Sequence, residues 1–371
     1  MKFSCSQQTL TKALNIVSKA VTIRTTIPVL KGILLKVDQQ GILTMSASDL
    51  DLSIEKKIKV ENSAPGEIVV LSKLFGDIIR KLPDEVITIE ESDGKVNIKC
   101  SNSEFNIIGL AADEFPNINP NDEDSEELVF NKEILKDMIR KTSFAASIDE
   151  NKGAMTGVLV EMEENSLNMI AIDGFRMAVS REQMKNKKKE NIIIPAKILN
   201  EISRIISETE TENEDVKVLL SKKKAVFSME NTKVVVRLLE GEFMNYRRII
   251  PSDNPCRVVL NRNDFLDGVE RASLLAKVGK NNLVRLEIKD GSIEITSKSE
   301  EGNVKEDVII SKEGNDLIIG FNSKYLIDAL KVIDDEEINI LFNSSVSPCL
   351  IRPVSGDEYE YLVLPVRITN N

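Results

Sequence analysis

The stretch AIDGFRMAV, residues 171–179, sets Asp173, Gly174 and Arg176 among apolar residues. An aspartate can serve as a general base or metal ligand, and an arginine can grip a phosphate or a carboxylate. A glycine lets the backbone approach either one. Asp49, in SASDLDLSI (46–54), ends a similar apolar run. Asp49 or Asp173 would suit an enzyme with an oxygen-held Mg²⁺ or Mn²⁺, although the two lie in different modules. The remaining residue types argue against chemistry. The chain has no histidine, which excludes Ser-His-Asp and Cys-His nucleophiles, HExxH zinc sites and any histidine base. It also lacks GxxxxGK[ST], GxGxxG and GxSxG segments. The reading is of a non-enzyme without cofactor or metal, in which the two aspartates form turns.

The chain has 371 residues, enough for two or three domains. At 42% hydrophobic and 29% charged residues it can bury a core, so disorder is excluded. The opening MKFSCSQQTL is too polar for a signal peptide, and no apolar run is long enough to span a membrane. Cys5, Cys100, Cys256 and Cys349 are widely spaced, as expected of reduced thiols in a cytoplasmic protein.

Three segments must position whatever the chain does: TLTKALNIVSKAV (9–21), EILKDMIRKTSFA (133–145) and DFLDGVERASLLA (264–276). Aligning Ser18, Ser143 and Ser273 superposes Leu10, Leu135 and Phe265, then Leu14, Ile139 and Val269, then Val17, Thr142 and Ala272. The i, i+4, i+7 spacing is one helix face. Each segment precedes two alternating runs split by a turn, at 33–48, 158–172 and 284–297, which read as β-hairpins. Each copy then enters a second helix from a short strand, at 68–82, 192–206 and 317–333, and continues into a further pair of strands. The fold class is therefore α+β, with three copies of one αβ module over 1–122, 123–253 and 254–371. The acidic linker NPNDEDSEE (119–127) and PSDNP (251–255) mark the joins.

The second helices carry Lys73–Asp77–Arg80, Lys197–Glu201–Arg204 and Lys324–Asp328–Lys331, each with base, acid and base on one face. Over 8–20, 73–81, 132–145, 197–206, 263–276 and 324–331 the six helices carry +6. The chain as a whole is −11, so the remainder carries −17. Only the fifth helix is acidic, at −2. Such segregation suits a polyanion met on the helical surface and repelled elsewhere. No helix-turn-helix or aromatic-rich strand is present to read bases.

Over its full length the chain resembles the bacterial DNA polymerase III beta subunit family, the sliding clamps. MKFSCSQQTLTKAL, TIPVLKGILL (26–35), AIDGFRMAV, YRRIIP (246–251), GFNSKYLIDAL (320–330) and YLVLPVR (361–367) carry the resemblance, in order and on a threefold repeat. It implies a ring-shaped homodimer encircling duplex DNA without sequence preference, with helices lining the hole, sheets outside and no membrane contact. Such a ring tethers the replicative polymerase and confers processivity. A scaffold of αβ repeats that does not act on DNA is the alternative reading.

The resemblance also implies residue roles. Arg24 would contact DNA, and Lys73, Lys197 and Lys324 join it on the basic faces. The run KNKKKE (185–190) reads instead as a solvated loop. Phe105 and Ile107, in the edge-like EFNIIGL, would meet Leu274 and Leu275 across the dimer. A pocket for short peptides would include Met155, Ile172, Gly174, Phe175, Arg176 and Met177. It would continue through Met244, Arg248, Ile249, Asn322, Tyr325, Val346 and Pro348. Leu362, Val363, Leu364, Pro365, Val366 and Arg367 would complete it. Its partners would be the polymerase III alpha subunit and other polymerases, the clamp loader, and mismatch-repair and other proteins with the clamp motif. Met177, Met244 and Leu364 are expected to form an exposed apolar cleft with Arg176 and Arg248 as rim donors. Phe175 stands where some members have histidine, and Met244 where proline is common.

Overall fold

The computed structural model describes residues 1–118, 126–185, 189–209, 215–279 and 281–368. The join at 122/123 and the central lysines of KNKKKE lie outside them. Among the described residues there are six α-helices: α1 (Gln7–Val17), α2 (Ser72–Lys81), α3 (Lys132–Thr142), α4 (Ala196–Glu208), α5 (Arg262–Ala276) and α6 (Ser323–Leu330).

The first helix of each copy buries the face its spacing predicts. Leu10, Leu14, Leu135, Ile139, Phe265 and Val269 are all buried, each such side chain contributing about 1.5–3 kcal/mol. Polar side chains set the helix starts. The Ser6 hydroxyl accepts from the Thr9 amide at 3.2 Å, and Asn261 Oδ1 accepts from the amides of Asn263 and Asp264. The acidity of α5 has a local account. Asp264 sits in the first turn, where the helix dipole favours an anion, and Glu270 bonds Lys331 at 2.7 Å.

Each copy contains more strand than its sequence pattern shows. The predicted hairpins are present, but each has a third strand, at Leu52–Lys59, Arg176–Gln183 and Gly302–Glu313. A third strand also follows the second pair in each copy, as at Ser103–Ile108. AIDGFRMAV turns between Ser166–Ile172 and Arg176–Gln183.

The chain forms two compact units, each crossing module limits. Residues 1–135 with 201–238 hold a five-stranded and an eight-stranded sheet. In the larger sheet Leu52–Lys59 of the first copy pairs with Thr232–Arg237 of the second, Ile54 opposite Val234. Residues 136–200 with 239–371 hold a twelve-stranded sheet. There Arg176–Gln183 of the second copy pairs with Tyr359–Val363 of the third, Met177 opposite Leu362. All four cysteines are buried and unpaired.

Candidate functional site

The turn at 173–175 is built by one side chain. Asp173 Oδ1 accepts from the Phe175 amide at 2.8 Å and from the Arg176 amide at 3.1 Å. Gly174 takes a φ of +95°, a conformation that only glycine reaches without strain. Lys152 donates from Nζ to the Asp173 carbonyl at 2.7 Å and lies 5.6 Å from the Phe175 ring centroid. Asp49 forms the equivalent turn in the first copy, accepting from the amides of Asp51 at 3.0 Å and Leu52 at 2.6 Å. Both carboxylates are thus engaged in turns.

Phe175 leaves the turn exposed and stacks on Tyr325 of α6, with centroids 5.9 Å apart and planes at 16°. Arg176 points the other way and is buried. Its guanidinium donates to Asp173 Oδ2, Asp328 Oδ2 and the Phe144 carbonyl. It also sits over the rings of Tyr325 and Phe144, at 4.8 and 5.3 Å. The expectation of a rim donor at Arg176 is therefore corrected: its guanidinium is buried and ties the turn to α6 and to the end of the first helical segment. Arg248 is exposed, as a rim residue must be.

The residues expected to line the cleft divide into a buried set and an exposed set. Ile172, Met177 and Leu362 belong to one buried cluster with Leu159, Tyr246 and Leu350, and Ile249 packs partly exposed against it. Met177 is thus core rather than an exposed anchor, because its pairing with Leu362 carries it beneath the surface. Val363 is buried as well. The exposed apolar groups are Phe175, Met244, Val346 and Leu364, with Met155, Tyr325, Pro348, Pro365 and Val366 partly exposed and Arg367 exposed. The final segment is held at both ends. The Leu364 amide donates to the Phe175 carbonyl at 2.9 Å, and the Val366 amide to the Gly320 carbonyl at 2.8 Å. Asn322 is committed to capping α6, accepting from the Lys324 amide at 3.0 Å.

A buried glutamate anchors the segment that carries Met244 and Arg248. Glu161 accepts from Arg247 at 2.8 and 2.6 Å, from the Tyr246 hydroxyl at 3.0 Å and from Asn168 at 3.0 Å. Burial alone would raise its pKa, but the bonds from Arg247, Asn168 and Tyr246 outweigh burial and hold the carboxyl below the usual range. Sequence reasoning missed Glu161, Arg247, Lys152, Phe144 and the outward role of Asp328. One signal was available for Glu161, a lone acid inside the apolar strand GVLVEM.

The basic faces are present. Arg24, Lys73, Lys197 and Lys324 are all exposed. Arg80 pairs with Asp77 at 3.6 Å and Arg204 with Glu201 at 2.7 Å, within their own helices. In the third copy Arg176 takes the acid, so the triad does not pair internally. Ser103–Ile108 is an edge strand. On it Phe105 is exposed while Ile107 is buried, so Ile107 faces its own module. Ile108 is the exposed isoleucine there, at 79%. Leu274 is exposed and Leu275 partly so. No helix among the described residues is long and apolar enough to cross a membrane.

Three family models match the chain in succession: the N-terminal domain of the DNA polymerase III beta subunit over 1–119, its central domain over 129–245 and its C-terminal domain over 247–367. The chain is 35% identical to the beta sliding clamp of Bacillus subtilis, over 99% of this chain and all of that one. It is 37% identical to the beta sliding clamp of Halalkalibacterium halodurans at the same coverage. The crystal structure of the Bacillus subtilis DNA polymerase sliding clamp superposes with a TM-score of 0.94 at 34% identity, covering the whole of both chains.

Proposed function

The chain belongs to the bacterial DNA polymerase III beta subunit family, the beta sliding clamps, and from that premise we propose how it works: two copies close head to tail into a ring around duplex DNA. One pairing rule carries this reading. The third hairpin strand of each module pairs with the last strand of the next, Leu52–Lys59 with Thr232–Arg237 and Arg176–Gln183 with Tyr359–Val363. In the third module the corresponding strand, over 302–309, pairs on one side only among the described residues. In the first module the last strand, Ser103–Ile108, is a free edge. A second copy supplies both missing neighbours, and twofold closure leaves neither of these two edges open. Ile108 and Ile309, the latter 86% exposed, sit on these two edges with Phe105, and exposed Leu274 is carried by α5, which packs against the second of these strands. The modules joined in this way are 1–122, 123–253 and 254–371.

Arg24, Lys73, Lys197 and Lys324 give loose phosphate contacts that carry no sequence preference. Processivity then follows from topology, with the replicative polymerase tethered to the ring. The protein acts without catalysis or cofactor. The cleft walled by Phe175, Met244, Val346 and Leu364 takes a short apolar peptide from each partner: the alpha subunit and other polymerases, the clamp loader, and mismatch-repair proteins. So small an interface supports micromolar affinity, about −8 kcal/mol, and weak binding lets partners exchange.

The test joins solution mass to retention on DNA. The chain should be a dimer, remain on nicked circles and run off linear duplex. An Ile108→Lys, Ile309→Lys variant should be a folded monomer that is not retained. Equal loss from circles and linear DNA would sink the ring. For the cleft, Phe175→Asp should weaken a glutamine-leucine-phenylalanine type peptide at least about tenfold while the dimer persists.

A further inference from the structure

The first module repeats, with other side chains, the backbone that carries the third module's share of the proposed peptide cleft. In the third module the final segment returns along the strand before α6. The Val366 amide donates to the Gly320 carbonyl, a register that sets Leu364 opposite Asn322. In the first module Leu110 pairs with Val69 in the same way and sets Ile108 opposite Leu71. Leu74 is the third residue of α2, as Tyr325 is of α6. The positions of Asn322, Tyr325 and Leu364 are thus held by Leu71, Leu74 and Ile108, all aliphatic and 43%, 49% and 79% exposed. In the second module they are held by Pro195, Ile198 and Arg237, of which only the arginine is exposed.

Neither the core nor the helix asks for leucine at 71 or 74. The buried apolar face of α2 is made by Phe75, Ile78 and Ile79. Leu71 caps the start of α2, where a polar side chain would accept a free amide. It makes no such bond, whereas Asn322 at the same position accepts from the Lys324 amide at 3.0 Å. An exposed leucine at a helix cap therefore forgoes stability that the third module keeps. Strand pairing at a join does not hide these positions either. Both joins inside the chain are already paired, yet Arg237 and Leu364, the counterparts of Ile108, stay exposed.

We infer that Leu71, Leu74 and Ile108 form one side of a second docking site, completed by the other copy at the joint between copies, and that it takes a short segment of a partner protein with apolar anchors beside basic residues. This rests on the ring reading. The pairing that closes the ring brings the third module's turn to the place that Asp173–Phe175 holds at the first site. That turn, between Ser292–Ser299 and Gly302–Glu313, carries Glu300 and Glu301 in place of Gly174 and Phe175. Both glutamates are exposed. Charge then selects the occupant. The first site has exposed Lys152, Arg248 and Arg367 around its apolar groups, and the second has the glutamates of the other copy. Lys73 and Lys324 hold matching positions at the two and do not distinguish them. An acidic flank on a peptide is therefore attracted at the first site and repelled at the second, and a basic flank the reverse. A lone copy holds only the aliphatic half.

The test titrates the full-length protein with a fluorescent, end-blocked Leu-Leu-Phe-Lys-Lys peptide. An excess of the glutamine-leucine-phenylalanine type peptide fills the first site, and salt is kept at about 50 mM. The basic peptide should still bind. A Leu71→Asn, Leu74→Gln variant should bind it at least about fivefold more weakly while remaining a dimer and keeping the first peptide. Glu300→Lys, Glu301→Lys should weaken it from the other side of the joint and abolish its salt dependence. Ile309→Lys, which separates the copies, should lose the basic peptide alone. Full displacement by the first peptide would overturn the proposal, as would unchanged affinity in the leucine variant or no binding to a dimeric parent. A parent that solution mass shows to be a monomer would condemn the ring reading and this site with it, a result separable from failure of the peptide on a dimer.

Discussion

The turns at Asp49–Asp51 and Asp173–Phe175 share a backbone and differ in nearly every side chain that leaves it. Both are closed by an aspartate accepting two amides. Both also receive a main-chain bond from the neighbouring module's last segment: Arg237 donates to the Asp51 carbonyl at 2.8 Å and Leu364 to the Phe175 carbonyl at 2.9 Å. In the first turn the two bonded residues form an exposed ion pair, Asp51 with Arg237 at 3.8 Å. In the second they are the exposed apolar side chains of Phe175 and Leu364. Leu50 holds a φ of +79° where Gly174 holds +95°. Leu52 stands in the first turn where the second has buried Arg176 with its three bonds. The repeat thus supplies the scaffold at both joins, and a handful of side chains decides which one presents apolar groups to solvent.

The largest effect should come from the residue the first turn lacks. Arg176→Ala would leave Asp173 and Asp328 partly buried without their cation, so urea unfolding should show a loss of about 3 kcal/mol or more. Loss below about 1 kcal/mol would mean the guanidinium is not what joins turn and helix.

Next is Glu161, whose counterpart in the first module, Lys36, makes only an exposed pair with Glu67 at 2.8 Å. A carboxyl whose pKa is depressed by folding gives stability that is fully present above its unfolded pKa. That stability is lost as pH falls through the lower folded value. Glu161→Gln should lower stability by about 2 kcal/mol at pH 7 and flatten the acid limb. Asp137 also contributes to that limb, held down by Lys141 and Arg140 against the opposing effect of its burial. An unchanged acid limb would refute the assignment.

A smaller pair of effects tests the backbone itself. Leu50→Gly should stabilise by up to about 1 kcal/mol, and Gly174→Leu should destabilise by about as much. A Cβ at 174 meets nothing nearer than Lys152 Nζ at 3.8 Å, so conformation alone is being measured. A thermal shift of the same sign for both would break the equivalence of the turns. Last, Asp51→Ala should change stability by less than about 0.5 kcal/mol, since its ion pair is solvated. A larger loss would show that the first turn is braced where it looks idle.

The contrast explains what could be read from sequence. Helix faces repeat at 3.6 residues and hairpins alternate, so Leu10, Leu135 and Phe265 marked themselves as core. Depth at the joins depends on a partner strand far away in the chain. Met177 is buried because Leu362 lies opposite it, 185 residues later. Arg176 looked free because Asp328 resembled its counterparts Asp77 and Glu201, which pair within their own helices. The edge EFNIIGL was legible, but which isoleucine faced outward was not: Ile107 is buried and Ile108 is exposed.

The cysteines turn the first and third modules into reporters of their own opening. Cys5 and Cys100 belong to the first module and Cys256 and Cys349 to the third, while the central module has none. Burial pushes the Cys5 and Cys349 thiols up to about 12, so almost no thiolate exists until a strand separates from its sheet. Alkylation at neutral pH should therefore proceed at the rate of local unfolding rather than of the chemistry. Mass spectrometry of the modified peptides would then show which of the two outer modules breathes first, against a silent centre.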